Sequence, residues 1–260
     1  MIQVIILIAT FSVATLFPND GFAQTNSAVK APVWLGLQME ESAGEVKVLG
    51  VLPGSPADTA GIVVGDTLKK VAGSPVKSSI DVRRIIRGYL DGATVTVQTA
   101  RQRKPITVTL RPRPKETERT RFAARTFSAT GQTFVDLERQ KRPVHSADVT
   151  LLAFWASWCK PCGPVHKTID AIAADGRVSA VALTTESHKT IASYVERNPS
   201  NNIIYGHDKD ERNHRALWVG AYPTVVLLDK NGRVAAVAIT PAEISLLSQK
   251  VKSLLKESQP

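Results

Sequence analysis

The stretch TLLAFWASWCKPCGPVHKTIDAIAADG, residues 150–176, decides the fold of the larger part of this 260-residue chain. Residues 151–155 are continuously apolar, as expected of a strand that is covered on both faces of a sheet. Apolar side chains then recur at Val165, Ile169 and Ile172, the spacing of one helix face. A buried strand that leads at once into an amphipathic helix predicts an α/β domain.

The two cysteines of the chain, Cys159 and Cys162, stand where this strand meets the helix. The positive end of a helix favours a thiolate, and Lys160 adds a further positive charge, so we expect the pKa of Cys159 to be lowered. Such a thiolate can attack a disulfide, form a mixed disulfide and be released when a second thiol attacks it. The spacing therefore predicts Cys159 as the nucleophile and Cys162 as the resolving thiol.

The motif FWASWCKPC, residues 154–162, and the later Tyr-Pro-Thr, residues 222–224, resemble the thioredoxin superfamily, and most closely its extracytoplasmic TlpA/ResA-like branch. Strands at 177–183, 203–205, 225–229 and 233–239 and helices at 187–197 and 241–255 are predicted in the order of that fold. The resemblance implies a thioredoxin-like domain over residues 126–257. It also implies a partner-binding surface around the disulfide, with Pro223 as the cis proline, formed by Trp158, Lys160, Pro161, Tyr222 and Pro223.

Two positions depart from the thioredoxin pattern. One is Tyr222, because smaller residues often precede the cis proline, and the tyrosine is expected to narrow or change the partner groove. The other precedes the cysteines. Thioredoxin carries a buried acid six residues before its first cysteine, where it assists deprotonation of the second cysteine. That position is Ala153 here. We therefore expect proton transfer at Cys162 to use water or another group.

The first part of the chain has a different pattern, in which short β-rich runs alternate with Gly/Pro turns. Strands are predicted at 35–40, 45–51, 67–71, 93–99 and 106–110. Two short helices fit between them. Ser55 is expected to cap the first helix, which has Pro56 in its first turn, and Ser79 is expected to cap the second. This pattern predicts a small β-rich domain.

Residues 49–76, LGVLPGSPADTAGIVVGDTLKKVAGSPV, resemble the PDZ domains of bacterial HtrA-type proteases, and the resemblance covers residues 33–112. It implies that the Leu35-Gly36-Leu37 loop binds the C-terminal carboxylate of a partner. The bound peptide would add as a strand against the helix that contains Val82 and Ile85. A Gly-x-Ser-x-Gly nucleophile motif is absent from the sequence, so no protease activity is expected.

The excess of positive charge, +10 overall, is concentrated between the two predicted domains. Residues 101–125 hold nine basic and two acidic residues, and residues 113–125 are predicted to be an extended, partly solvated basic linker. Aromatic interleaving and nucleic-acid-binding motifs are absent from the sequence, so no nucleic-acid partner is expected.

The N-terminus, residues 1–23, is predicted to be a secretory signal peptide. The apolar run at 4–17 is shorter than a bilayer span, and small residues precede the expected cleavage after Ala23. An uncleaved anchor is the alternative, because Lys and Arg are absent before the apolar run. The predicted location is the periplasm.

The leading functional hypothesis is a thiol–disulfide oxidoreductase that reduces the disulfides of partner proteins and docks their C-termini through the PDZ domain. Neither a cofactor nor a metal is expected, and a membrane electron carrier would supply the electrons. Two alternatives are a non-catalytic periplasmic adaptor and a copper- or zinc-binding protein that uses the two cysteines with His166 or His188. His166 is expected to be a packing residue rather than a ligand.

Overall fold

The structure is a computed structural model that describes residues 31–258, so the predicted signal peptide lies outside the described residues. Within residues 31–258, no helix combines the length and the apolar character that crossing a membrane requires.

The N-terminal domain contains the predicted alternation of strands and short helices. Its strands are β1 (Val33–Trp34), β2 (Leu37–Ser42), β3 (Glu45–Val51), β4 (Thr67–Val71), β5 (Ser74–Pro75), β6 (Thr94–Thr99), β7 (Ile106–Thr109) and β8 (Arg111–Pro112), and its helices are α1 (Pro56–Thr59) and α2 (Ser79–Ile86). The main sheet has the order β2-β3-β4-β6-β7, with β5 added beside β4, while β1 pairs with β8. Strand β2 is therefore an edge of the main sheet.

The N-terminal caps explain where the two short helices begin. The Ser55 hydroxyl accepts a hydrogen bond from the backbone N–H of Asp58, as predicted for α1. For α2 the cap is Ser78, one residue before the predicted Ser79, because Ser78 and Asp81 form a reciprocal capping box. Ser79 is the first helical residue and is buried.

The segment between the two domains is a helix, so the prediction of an extended linker over residues 113–125 was wrong. Helix α3 (Glu116–Ala124) buries Thr120, Ala123 and Ala124, which share one face at i, i+3 and i+4. The Thr120 hydroxyl donates to the backbone oxygen of Trp218 at 3.1 Å. The helix was not predicted because the segment is highly charged and its buried face is narrow and made of small residues. This face packs on the C-terminal domain.

The C-terminal domain follows the predicted order of elements. Its strands are β9 (Thr133–Asp136), β10 (Lys141–Pro143), β11 (Val149–Phe154), β12 (Val178–Thr184), β13 (Ile203–His207), β14 (Thr224–Leu228) and β15 (Val234–Ala238). Its helices are α4 (Cys162–Ala173), α5 (His188–Arg197), α6 (Arg212–Ala216), α7 (Pro241–Ser245) and α8 (Leu247–Glu257), with a short 3-10 helix at Lys209–Glu211. The single closing helix predicted at 241–255 is thus divided in two near Leu246.

The strands of this domain form one sheet with the order β10-β9-β13-β12-β11-β14-β15. Strand β11 runs parallel to β12 and antiparallel to β14, and every residue of β11 is buried. This explains the continuous apolar run in the sequence, since helices and other chain cover both faces of the strand. The architecture is a thioredoxin-like mixed sheet with flanking helices.

Candidate active site

The two cysteines form a disulfide in the loop that follows strand β11. Cys162 is the first residue of helix α4, whereas Cys159 lies one turn earlier, where its carbonyl accepts the Cys162 N–H at 3.0 Å. The helix therefore begins later than predicted, although its N-terminal end still faces the cysteine pair. The two side chains differ in exposure, because Cys159 keeps 8% of its surface exposed and Cys162 keeps 0%.

The residues predicted to bind partners surround the exposed side of this disulfide. Trp158 is 72% exposed, and its ring lies 5.8 Å from the ring of Tyr222. The peptide bond between Tyr222 and Pro223 is cis. Lys160 and Pro161 are exposed between the cysteines. The structure thus brings Trp158 and Tyr222 together, and the binding of partners by these residues stays a prediction.

Glu186 anchors the active-site loop, a role that the sequence analysis missed. Its carboxylate accepts hydrogen bonds from the backbone N–H of Ser157 at 2.6 Å and from the Ser157 hydroxyl at 2.7 Å. The Trp155 N–H donates to the Leu183 carbonyl at the end of the neighbouring strand. Together these contacts fix the N-terminal half of the loop that presents Cys159. An acid shortly after a buried strand was the only available signal in the sequence.

A buried hydrogen-bonded pair, Asp208 and His214, packs against Tyr222, and the sequence analysis did not identify it. The Asp208 carboxylate accepts hydrogen bonds from the His214 ring at 2.6 Å and from the Asn213 side chain at 2.7 Å. Burial disfavours the charged carboxylate, but these hydrogen bonds outweigh it, so the pKa of Asp208 lies below its usual value. The His214 ring packs edge-on against Tyr222 at 5.9 Å. Asp208 and His214 therefore help to position Tyr222.

The region under helix α4 is aromatic. Ala153, the position of the missing acid, is buried on β11. His166 is also buried, and its Nδ1 lies 3.0 Å from the Tyr194 hydroxyl and 3.3 Å from that of Tyr205. Burial lowers the pKa of His166 to about 4, so the ring is neutral near pH 7. His166 is a packing residue, as predicted.

The metal-binding alternative finds no support in the geometry. Across residues 31–258, no three His, Cys, Asp or Glu side chains are grouped closely enough to hold a metal ion. The Nδ1 of His166 faces two tyrosine hydroxyls, and the Nε2 of His188 lies 3.2 Å from the Asp136 carbonyl. Neither histidine joins the cysteine pair.

A second site lies in the N-terminal domain, where the Leu35-Gly36-Leu37 loop meets edge strand β2 and helix α2. A cavity of about 230 Å³ is lined there by this loop, Met39, Val82 and Ile86. Ile86 rather than the predicted Ile85 faces the cavity, because it follows Val82 by four residues on the same helix face. Gly36 has a φ of 83°, and a Cβ at this position would lie 2.2 Å from that of Ser55. Only glycine fits this loop without rearrangement.

A disulfide-bonded Cys-Lys-Pro-Cys pair between a central strand and a helix of a thioredoxin-like sheet, with Cys159 slightly accessible and Cys162 fully buried, defines the protein as a thiol–disulfide oxidoreductase. The model of the thioredoxin-like family matches residues 147–234, and that of the PDZ domain matches residues 33–111.

Individual relatives agree with this division of the chain. A thioredoxin of Griffithsia pacifica is 32% identical over 98 residues, which are 36% of this chain and 86% of that protein. The chloroplastic thioredoxin M3 of Oryza sativa subsp. japonica is 44% identical over 54 residues, covering 19% of this chain and 31% of that protein. The putative serine protease HhoB of Synechocystis sp. is 35% identical over 69 residues, 26% of this chain and 17% of that protein. The chain belongs to the thioredoxin family and carries an additional PDZ domain.

Proposed function

We propose that this protein is an extracytoplasmic thiol–disulfide oxidoreductase of the TlpA/ResA-like branch, which reduces disulfides of partner proteins held by their C-termini in the PDZ domain. The unequal exposure of the two cysteine residues, 8% for Cys159 against 0% for Cys162, is the observation that carries the redox assignment. An incoming disulfide reaches Cys159, whereas Cys162 is shielded by helix α4 and reacts only with its neighbour.

In the reduced protein, the Cys159 thiolate attacks one sulfur of the partner's disulfide. This step forms a mixed disulfide and releases the other partner sulfur as a thiolate, which takes a proton from water. Cys162 then loses its proton and attacks the sulfur of Cys159, which releases the partner as a dithiol and forms the Cys159–Cys162 disulfide. Two electrons pass to the partner, and an external donor, a membrane electron carrier, must return them to the pair.

The PDZ domain supports the docking half of the proposal. Strand β2 is an edge strand with free backbone groups on its outer side, and the cavity beside it is bordered by α2. A peptide can therefore extend the sheet there, as in β-augmentation.

The predicted signal peptide supports an extracytoplasmic, periplasmic location. The expected domain limits, 33–112 and 126–257, stay part of this proposal, with α3 between them.

Mixed-disulfide trapping tests the redox half. Cys162→Ser should accumulate a covalent complex with a disulfide-containing model protein such as insulin, because the resolving thiol is absent. Cys159→Ser should form no complex, and both variants should lose catalysed insulin reduction by dithiothreitol. An equal yield of complex from Cys159→Ser would contradict the assignment of the nucleophile. A Cys159→Ser strain with unchanged cellular function would favour the adaptor instead.

A further inference from the structure

The cavity beside β2 and α2 is bordered by more than the PDZ domain. Arg113 and Arg119, which follow strand β8, and Trp218, from the loop before Tyr222, also line it. Strand β1 pairs with β8 in the register Trp34 with Arg111, and this pairing brings the chain after β8 to the cavity. One end of the groove is therefore formed by the joining segment and the thioredoxin-like domain.

Trp218 is held firmly at this junction. Its ring packs edge-on against Trp34 at 6.1 Å, and it belongs to a buried cluster with Leu52 and Ala123. Its carbonyl accepts the hydroxyl of Thr120 on α3. The three parts of the chain thus meet at one apolar contact that borders the peptide groove.

The groove is lined by positive charge and by no acidic residue. The four arginines in its lining are Arg83, Arg87, Arg113 and Arg119. Arg83 is partly satisfied, because it donates to the Ser79 hydroxyl at 2.6 Å, and Arg119 pairs with Glu116 at 2.8 Å. Among the described residues, Arg87 and Arg113 have no ion pair. A concave surface lined by one sign of charge concentrates ligands of the opposite sign.

We propose that this composite groove selects acidic C-terminal tails, which carry Asp or Glu side chains within the last few residues in addition to the terminal carboxylate. Apolar contacts to Val82 and Ile86 hold the tail, and the arginines supply the preference for acidic side chains. The proposal rests on the docking function proposed above. It adds the chemistry of the partner and assigns part of the recognition to residues outside the PDZ domain.

Fluorescence polarisation on the full purified protein tests this with labelled octapeptides. The peptides end in Leu, Val or Ala and carry Asp/Glu, Asn/Gln or Lys at the preceding positions. Each peptide is made once with a free C-terminus and once with an amidated C-terminus. We expect the acidic free-carboxylate peptides to bind at least threefold more tightly than their Asn/Gln counterparts at low salt. The preference should shrink as ionic strength rises.

Variants separate the arginines from a general charge effect. Arg87→Gln combined with Arg113→Gln should remove most of the acidic preference while binding of the Asn/Gln peptides changes less. The control, Arg103→Gln combined with Lys104→Gln, removes the same charge from exposed positions outside the groove and should keep the preference. Arg119→Gln, on α3, should also reduce it. Since an exposed charge pair is worth at most about fivefold in affinity, these losses are expected to be modest.

The peptide series distinguishes a failure of the docking function from a failure of the preference for acidic tails. If amidated peptides bind as well as free-carboxylate peptides, or none binds, the docking function itself is wrong. If binding requires the free carboxylate but acidic, neutral and basic tails bind equally, docking stands and the selection of acidic tails is refuted. Equal losses in the groove and control variants would also refute it.

Discussion

At the scale of single residues, the position of the cysteine pair depends on residues that lie outside the cysteine motif. Glu186 fixes Ser157, two residues before Cys159, and Asp208 with His214 supports Tyr222 on the opposite side of the disulfide. Both acids come from loops that follow strands of the same sheet. The geometry of the site is therefore set by hydrogen bonds between loops that lie far apart in sequence.

Glu186→Gln is expected to loosen the active-site loop, because a neutral amide replaces a carboxylate that accepts two hydrogen bonds from Ser157. The free energy of unfolding should fall by about 1.5–3 kcal/mol, the range for hydrogen bonds to charged groups. The rate of insulin reduction should fall several-fold. Denaturant titration and the insulin assay measure these quantities. Glu196→Gln, at an exposed position on α5, is the matched control, and equal effects in the two variants would contradict the anchoring role.

His166 predicts a pH dependence of stability. Its pKa is about 4 in the folded protein and near 6.5 when unfolded, so the unfolded chain binds more protons between these values. The stability that comes from keeping His166 neutral is fully present above about pH 6.5. As the pH falls towards 4, the free energy of unfolding should decrease on this account by at most about 3 kcal/mol.

Urea titrations at several pH values measure this loss for the parent protein and for His166→Gln. The variant should show a flatter dependence between pH 6.5 and 4, whatever its stability at neutral pH. The same change at the half-buried His145 is the control. An unchanged slope in His166→Gln would show that burial of this imidazole does not govern acid sensitivity.

At the scale of elements, helix α3 connects the domains through its face of small residues. Ala123→Asp would place a charge in the buried apolar cluster of Leu52 and Trp218. We expect a loss of several kcal/mol at this junction, because a charge is strongly destabilising in buried apolar surroundings. Limited proteolysis within residues 113–125 should become faster. Thr117→Asp, in the first turn of the same helix, should leave the cleavage rate near that of the parent protein.

The sequence predicted strands and helices wherever periodicity was strong and flanking turn residues were clear. Strands β3 and β4 and the Ser55 cap were predicted to the residue. Helix α3 was missed because its buried face consists of only Thr120, Ala123 and Ala124 among many charges. Small residues give little hydropathy signal, although they permit close packing.

The candidate site shows the same limit. The cysteine pair carries its chemistry in a short motif, and the sequence therefore indicated Cys159 and Cys162 directly. Glu186 contacts Ser157, 29 positions away, and Trp218 contacts Trp34, 184 positions away. Asp208 contacts His214, 6 positions away and in the next helix. No local sequence pattern could identify these contacts.

At the scale of the whole molecule, residues 31–258 belong to one compact unit. Trp218 lines the proposed peptide groove, and Tyr222, four residues later, packs against Trp158 beside Cys159. The proposed docking site and the cysteine pair are therefore linked by one short segment of the chain. A docked partner would thus bind beside the segment that also contacts its disulfide.

The reduction potential of the Cys159–Cys162 couple tests the central claim, that the protein is a reductant, most directly. The purified protein is equilibrated in glutathione or dithiothreitol buffers, and the fraction of free thiol is read by alkylation. A reductant should have a potential below about −200 mV, on the side of thioredoxin at about −270 mV. A value near the −120 mV of the strong oxidant DsbA would contradict the claim and assign oxidation or isomerisation instead.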